Sequence, residues 1–395
     1  MISEFEKEME RLKRQVLGTQ AEPKRDSSST EESFEKGDKQ IDWAVEASLK
    51  PVVSTRREIG QEAESPSGPV GIDIGTSTIV AGQSKDKDIR LVRQSNVFFT
   101  VPRSRFTKRI LTENRVPHFE LEGLFYIIGY AAEDFANMFS CDTRRPIAEG
   151  LLSPKEPYGI NVMNEIIGTL IQKPKKLGET ICFSIPGEPF DRATGSVVYH
   201  ESMIKRTLTA IGYLPVSINE GQAVVMSELA DNAFTGVGIS MGGGMCNVCF
   251  AYLSVPIVTY SIQKAGDYVD SMAGRSVAES ATKIKAIKEE GLDLLEEPKD
   301  RISMALQIFY DDVISSLVES MRKVFSLTDT IPKISRPVPI VLSGGTAMPN
   351  GCKEKLEREL KKVRLPIEIS TIRVSEDPLH ATVKGALIRA MSEEE

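Results

Sequence analysis

From Pro69 onward, short apolar runs alternate with amphipathic stretches, and the change of period from two to 3.6 predicts strands and helices in turn. PVGIDIGTSTIVAGQ reads as strand, glycine-centred turn and strand, and KDKDIRLVRQS adds a polar turn and a third strand. NVMNEIIGTLIQ is helical, ETICFSIP a buried strand, YHESMIKRTLTAIGY a helix, LPVSIN a strand and EGQAVVMSELAD a helix. Then the opening unit recurs: GVGISMGGGMCNVCFAYLS is again strand, glycine turn, strand, and VPIVTYSIQ is its third strand. One helix is predicted over MAGRSVAESATKIKAIKEE and another over MALQIFYDDVISSLVESMRKVF, followed by strand VPIVLSGG, helix GCKEKLERELKKV and strand LPIEISTI. Such alternation argues for α/β layers. The long-period recurrence argues for a duplicated domain rather than a solenoid.

Residues 1–68 have another texture. Ile2, Phe5, Met9, Leu12 and Val16 recur at helical steps, so a short amphipathic helix is expected. It fits a solvated helix as well as one that binds a partner or pairs with itself, and its balanced charges weigh against an anionic-membrane anchor. Residues 19–68 carry Lys24, Arg25, Ser27 to Ser29, Glu31 and Glu32 and end in Ser65-Pro66-Ser67-Gly68, which reads as a disordered tether. IDWAVEASLKPVV, with the chain's one tryptophan, Trp43, is the exception, either a docking motif or a packing segment.

Composition changes this picture little. With 395 residues, 41% of them apolar and 27% charged, the chain has enough material for a two-lobed core. Its net charge of -7 gives no reason to expect nucleic acid or an anionic membrane as the main partner. No secretory signal or run of about 18 apolar residues is found, and the five cysteines are too scattered for a disulfide framework, so a cytoplasmic protein is expected. Cys246 and Cys249 lack a second pair and a suitably spaced histidine, so they read as buried thiols rather than metal ligands. Asp311-Asp312 and Glu296-Glu297 read as solvated helix faces.

Three glycine turns carry the candidate chemistry. Gly71-Ile72-Asp73-Ile74-Gly75-Thr76-Ser77-Thr78 joins two strands through residues whose backbone N–H groups can cradle phosphate, with Asp73 placed to hold a hydrated Mg²⁺. Ile239-Ser240-Met241-Gly242-Gly243-Gly244-Met245 lets backbone approach a ligand closely. Val341-Leu342-Ser343-Gly344-Gly345-Thr346 ends a strand just before a helix and makes a flat platform for a nucleotide. Each turn alone is also an ordinary hairpin or loop.

In this order the three resemble the phosphate-1, phosphate-2 and adenosine motifs of the actin, sugar kinase and heat-shock chaperone superfamily, and in particular of bacterial actins such as MreB and MamK. RRPIAEGLL, SINEGQAVV, QKAGDYVD and DPLHATVKGAL extend the resemblance over residues 69 to about 392. It implies an α/β, actin-like fold of two duplicated ribonuclease-H-like lobes around a nucleotide cleft, with lobe I over 69–235 and lobe II over 236–395, the last helix returning to lobe I. It implies ATP or ADP with Mg²⁺, bound by Asp73, Gly75, Thr76 and Ser77, by Gly242, Gly243 and Gly244, and by Gly344, Gly345 and Thr346. Glu220 stands where relatives have Glu-Pro, with Gly221 in place of proline, and Lys285 falls near their ribose or adenine contacts.

The phosphate-2 motif of relatives begins with aspartate and ends with threonine; here Ser240 and Met245 stand there. Phosphoryl transfer depends on positioning and charge, so the loss of one carboxylate should slow hydrolysis more than it weakens binding. Glu188 and Asp191, after ETICFSIP, are the candidates for a catalytic general base or water-positioning group, Asp191 having a slight preference, and they read equally as an exposed charged loop. The resemblance thus points to a filament-forming, ATP-binding cytoskeletal protein with slow hydrolysis, whose partner is itself. The alternative is a non-polymerising nucleotide-binding scaffold, in the manner of FtsA or PilM, docking a partner through residues 1–17 or around Trp43. A sugar kinase fits less well, since Ser240 removes a carboxylate such enzymes use.

Overall fold

The computed structural model describes residues 65–85, 88–139, 141–190, 196–328, 331–332 and 336–393. The helix expected over the first residues, the tether up to residue 64, Trp43 and Asp191 lie outside them. The described chain forms two compact units: a smaller one of residues 94–139, 141–146 and 153–169, and a larger one holding the remainder.

Among the described residues, the strands β1 (Val70–Ile74), β2 (Thr78–Lys85) and β3 (Asp88–Ser95) come first. The smaller unit follows with β4 (Phe98–Pro102), α1 (Arg105–Glu113), β5 (His118–Leu121), β6 (Leu124–Ile128) and α2 (Tyr130–Phe139). A two-stranded hairpin, β7 (Ile147–Ala148) and β8 (Leu151–Leu152), belongs to the larger unit, and α3 (Gly159–Leu170) largely to the smaller. The larger unit then runs β9 (Thr180–Ile185), α4 (Val197–Ile211), β10 (Leu214–Asn219), α5 (Glu220–Glu228), β11 (Gly236–Met241), β12 (Cys246–Tyr252) and β13 (Val255–Ile262). It ends with α6 (Gly266–Val277), α7 (Ala281–Gly291), α8 (Arg301–Leu327), β14 (Val338–Ser343), α9 (Cys352–Leu360), β15 (Ile369–Val374) and α10 (Ala381–Ser392).

The expected duplication is present inside the larger unit. Its sheets have the orders β10-β9-β1-β2-β3 and β13-β12-β11-β14-β15, which are one topology written twice. In each, a central strand (β1 or β11) pairs antiparallel with its hairpin partner and parallel with a strand that arrives much later in the chain (β9 or β14). Those parallel strands, TICFSI and VPIVLS, read as near-continuous apolar runs because both faces are covered. Helix α5 follows the first sheet in the chain but packs on the second: a Cβ on Gly221 would lie 2.6 Å from Cys249 N on β12. Helix α10 ends the chain yet lies on the first sheet, where a Cβ on Gly71 would be 2.5 Å from Leu387 N. The two helices meet at Ala223 and Gly385, so each sheet is covered by a helix from the other half of the sequence.

The single helix expected over 272–290 is two. Ala278 adopts a left-handed conformation (φ 60°), and the Ser280 side chain accepts from Lys283 N to start α7 afresh. Asp311 and Asp312 are not simply solvated either: Lys264 Nζ lies 2.9 Å from Asp312, and Lys355 pairs with Asp311. All four cysteines of the larger unit are buried free thiols. In the smaller unit, the antiparallel sheet β4-β6-β5 packs Val97, Phe99, Val101, Phe125 and Ile127 against Leu111 of α1 and Phe139 of α2. Among the described residues no helix is long and apolar enough to cross a membrane.

Candidate functional site

Because the two sheets share one topology, their central hairpins carry equivalent turns. Gly75 N donates to Thr78 O at 3.0 Å, and Gly242 N donates to Met245 O, also at 3.0 Å. The turns face each other closely. A Cβ on Gly243 would lie 2.5 Å from Ser77 Oγ, and one on Gly244 would overlap Thr76 Oγ1 and Gly150 N of the β7–β8 hairpin. Only glycine allows that approach. Met245, at the position of the missing threonine, is buried against Gly150.

The third turn joins the second. Thr346 Oγ1 donates to Gly242 O at 2.7 Å, and Gly266 N and Asp267 N, at the start of α6, donate to Gly242 O and Gly243 O. Gly344 sits at φ 89° against the Met241 carbonyl, and its N–H donates to Pro378 O in the loop before α10. Gly75, Thr76, Ser77, Gly242, Gly243, Gly244, Gly344, Gly345 and Thr346 therefore converge at the strand ends of the larger unit.

Two carboxyl groups lie beneath them. Asp73 is the fourth residue of β1, and its Oδ1 accepts from Ser184 Oγ at 2.6 Å. Burial raises its pKa to about 6, against the opposing hydrogen bond from Ser184 and the nearby charge of His380. Glu220 begins α5, capped by Asn219, and its Oε2 accepts from Ser240 Oγ (3.0 Å) and Asn247 Nδ2 (2.9 Å). Burial, and then the neighbouring Asp73, push Glu220 up to about 8, so it holds its proton at neutral pH. Ser240 thus donates to a glutamate, a contact that an ionised aspartate could not make.

Asn247 was not singled out in the sequence. Its Nδ2 serves Glu220, and its Oδ1 accepts from Gly187 N at 2.8 Å. The segment after β9 is strapped to β13: Ser261 Oγ donates to Gly187 O, Ser261 N to Glu188 O, and Phe190 N to Ser261 O, all within 2.8–2.9 Å. A Cβ on Gly187 would lie 2.5 Å from Tyr260 C, which explains the glycine. The Glu188 carbonyl is engaged in this strap while its side chain is exposed. Lys285 on α7 points along its own helix to Glu289 at 3.8 Å, and its neighbour Lys288 forms the buried ion pair with Asp270 of α6 at 2.8 Å. A lysine three residues away on the same helix cannot be told from it by pattern alone.

A stability test follows from Glu220. A carboxyl group with a raised folded-state pKa takes up a proton on folding. Its contribution is complete below the unfolded value and is lost as pH rises through about 8. Between about pH 7, where Asp73 has largely ionised, and about pH 8, the unfolding free energy should fall by up to about 1.4 kcal/mol per pH unit. Glu220→Gln should remove most of that slope, as read by urea denaturation from pH 6 to 8.5; an unchanged slope would contradict the buried, protonated Glu220.

The fold is shared with solved structures. The MamK double helical filament superposes with a TM-score of 0.62 at 18% identity, over 84% of this chain and 99% of that one. MreB5 of Spiroplasma citri bound to ADP gives 0.59 at 14%, over 83% and 98%, and its AMPPNP-bound form gives 0.60 at 14%, over 84% and 98%. At such identities the likeness establishes an actin-like fold and no more. No curated protein matches the chain. The Volactin family model matches residues 69–390, most of the sequence, and the chain belongs to the Volactin family.

Proposed function

We propose that this protein is an actin-like, ATP-binding cytoskeletal protein that assembles into filaments and hydrolyses nucleotide slowly. The observation that carries this reading is the pair of equivalent turns, Gly75–Thr78 and Gly242–Met245, set face to face with the Gly344 turn bonded to the second through Thr346. In this reading lobe I spans residues 69–235 and lobe II 236–395. The backbone of Gly75, Thr76 and Ser77 and that of Gly242, Gly243 and Gly244 flank the phosphates, and Gly344, Gly345 and Thr346, with Lys285, take the nucleoside.

The residues present fit a magnesium nucleotide. Ser184 takes one oxygen of Asp73, and among the described residues no bond is made to the other. Asp73 would hold Mg²⁺ through water, and the ion would supply charge neutralisation for the phosphates. Of the acids near the turns, Glu220 is inside the site and tied to Ser240 and Asn247, so these three are better placed to orient a water than the exposed Glu188. With Glu220 protonated and serine at position 240, the site has fewer negative groups to organise attack, which supports slow hydrolysis. Resemblance to MamK, which forms a double helical filament, supports self-assembly.

Titration calorimetry with Mg²⁺ and ATP or ADP, then high-speed pelleting and negative-stain microscopy, tests the reading. Saturable binding and nucleotide-dependent filaments are expected. Absence of binding to either nucleotide sinks it, and binding without assembly assigns the scaffold function instead.

A further inference from the structure

Helix α9 ends at Leu360, and the chain Lys361-Lys-Val-Arg-Leu-Pro-Ile-Glu-Ile369 returns from it into β15. Between the end of α9 and β15 lies an open groove of about 320 Å³. Leu360, Val363, Leu365, Ile369 and Ile372 line it, and each is only partly buried against the core behind. β15 is the last strand of its sheet, so no neighbouring strand closes the groove on that side. Branched side chains gathered in a concave site, unlike apolar residues scattered singly over a surface, mark a place that another segment covers.

The rim is basic. Lys361 lines the groove, and Arg364 stands between Val363 and Leu365. Both are exposed, and among the described residues no carboxylate is paired with either. Lys362 is paired with Glu359, and Glu357 is the acid of the lining. An occupant that matches this surface is apolar at its centre and acidic beside it.

We propose that the groove takes a segment of this same chain, Ile41-Asp42-Trp43-Ala44-Val45-Glu46, seating Trp43 among Leu360, Val363 and Ile369 while Asp42 and Glu46 face Lys361 and Arg364. The segment lies outside the described residues. Its sequence has the required character: an aromatic anchor with Ile41 and Val45 beside it, two acids and no base. The chain that follows it is tied to the unit holding the groove, since Lys175 N donates to Pro66 O at 2.9 Å and Gly68 N to Glu179 Oε2 at 2.6 Å. From Glu46 to Pro66 the extended chain spans up to about 65 Å, enough to reach any face of a unit of this size. Such a tether supplies an effective concentration on the order of 1 mM, ahead of a partner free in solution. The docked segment also shields the edge of β15 from pairing with strands of other chains.

Trp43 is the chain's one tryptophan, so its fluorescence reports on this segment alone. In the full chain without nucleotide, its emission should be blue-shifted, and acrylamide should quench it roughly 3-fold less than it quenches a peptide of residues 38–50. Val363→Glu puts a charge into the apolar groove and should restore most of the peptide's quenching. Asp42→Lys/Glu46→Lys should raise quenching roughly 2-fold, and adding Lys361→Glu/Arg364→Glu to that chain should reverse the rise. A cooperative thermal melt by circular dichroism shows that each variant keeps the fold, and the exposed charge reversals test the contact even if Val363→Glu does not fold. Wild-type Trp43 quenched like the peptide overturns the proposal. So does shielding that Val363→Glu or the first charge reversal leaves intact, or that the second does not recover, because the segment then docks elsewhere. Shielding lost on roughly 100-fold dilution overturns it as well, since a second copy would then be the one taking the segment.

Discussion

Ser240→Asp is expected to make this protein magnesium-dependent in both stability and turnover. The new carboxylate would take the place of a hydroxyl that donates to Glu220 Oε2 at 3.0 Å. At pH 7 the pair can share the proton that Glu220 already holds, so the cost is small. Once that proton leaves, two buried negative charges about 3–4 Å apart repel by roughly 4 kcal/mol at an effective dielectric of 20. Without Mg²⁺ the variant should therefore lose about 2–4 kcal/mol relative to wild type above pH 8, and Mg²⁺ should restore most of it. If the proposed nucleotide site is right, phosphate release from Mg²⁺-ATP should rise by about 10- to 100-fold, since a charge returns to where transfer needs it. Thermal melts across pH with and without Mg²⁺, alongside phosphate release, read both effects. A variant that melts like wild type at pH 9 without Mg²⁺ would show that Ser240 and Glu220 are not in contact.

Gly385→Val should be the most damaging single substitution in the fold. Gly385 is where α10 crosses α5, and any Cβ there would overlap the Ala223 carbonyl oxygen and lie 2.7 Å from Ala223 Cα. Helix backbone cannot yield as a flexible side chain can, so the helices must separate, and with them the two sheets they cover. A loss above about 4 kcal/mol, or no folded protein, is expected. Gly345→Ala is the contrast. Its nearest neighbour would be Leu379 Cδ2 at an ordinary 3.7 Å, so stability should change by under about 1 kcal/mol. Nucleotide affinity should nonetheless fall, because the added methyl would occupy the proposed nucleoside platform. Urea denaturation and titration calorimetry on both variants separate glycines needed for packing from those needed for a ligand. A stable Gly385→Val protein would mean the α5–α10 crossing is looser than described.

What the sequence determined by itself was local. Asp73 with the turn Gly75-Thr76-Ser77, the triple glycine at 242–244 and Gly344-Gly345-Thr346 each announce a tight turn at a strand end, and their order along an α/β alternation predicted the duplicated fold. Continuous apolar runs and 3.6-residue patterns report how an element is buried, and they did so for β9, β14 and α8. They say little of which residues meet from opposite ends of the chain. Asn247 looked like one polar residue in an apolar strand, and only the tertiary structure gives it Glu220 on one side and Gly187 on the other. Ser240 was legible as a missing carboxylate, but not as the donor to a glutamate that burial keeps protonated. The choice between Lys285 and Lys288 as the buried lysine of α7 depended on how α6 packs beside it. Desolvation and long-range contact belong to the packed molecule, so tertiary structure decided the charge states and the strap onto β13.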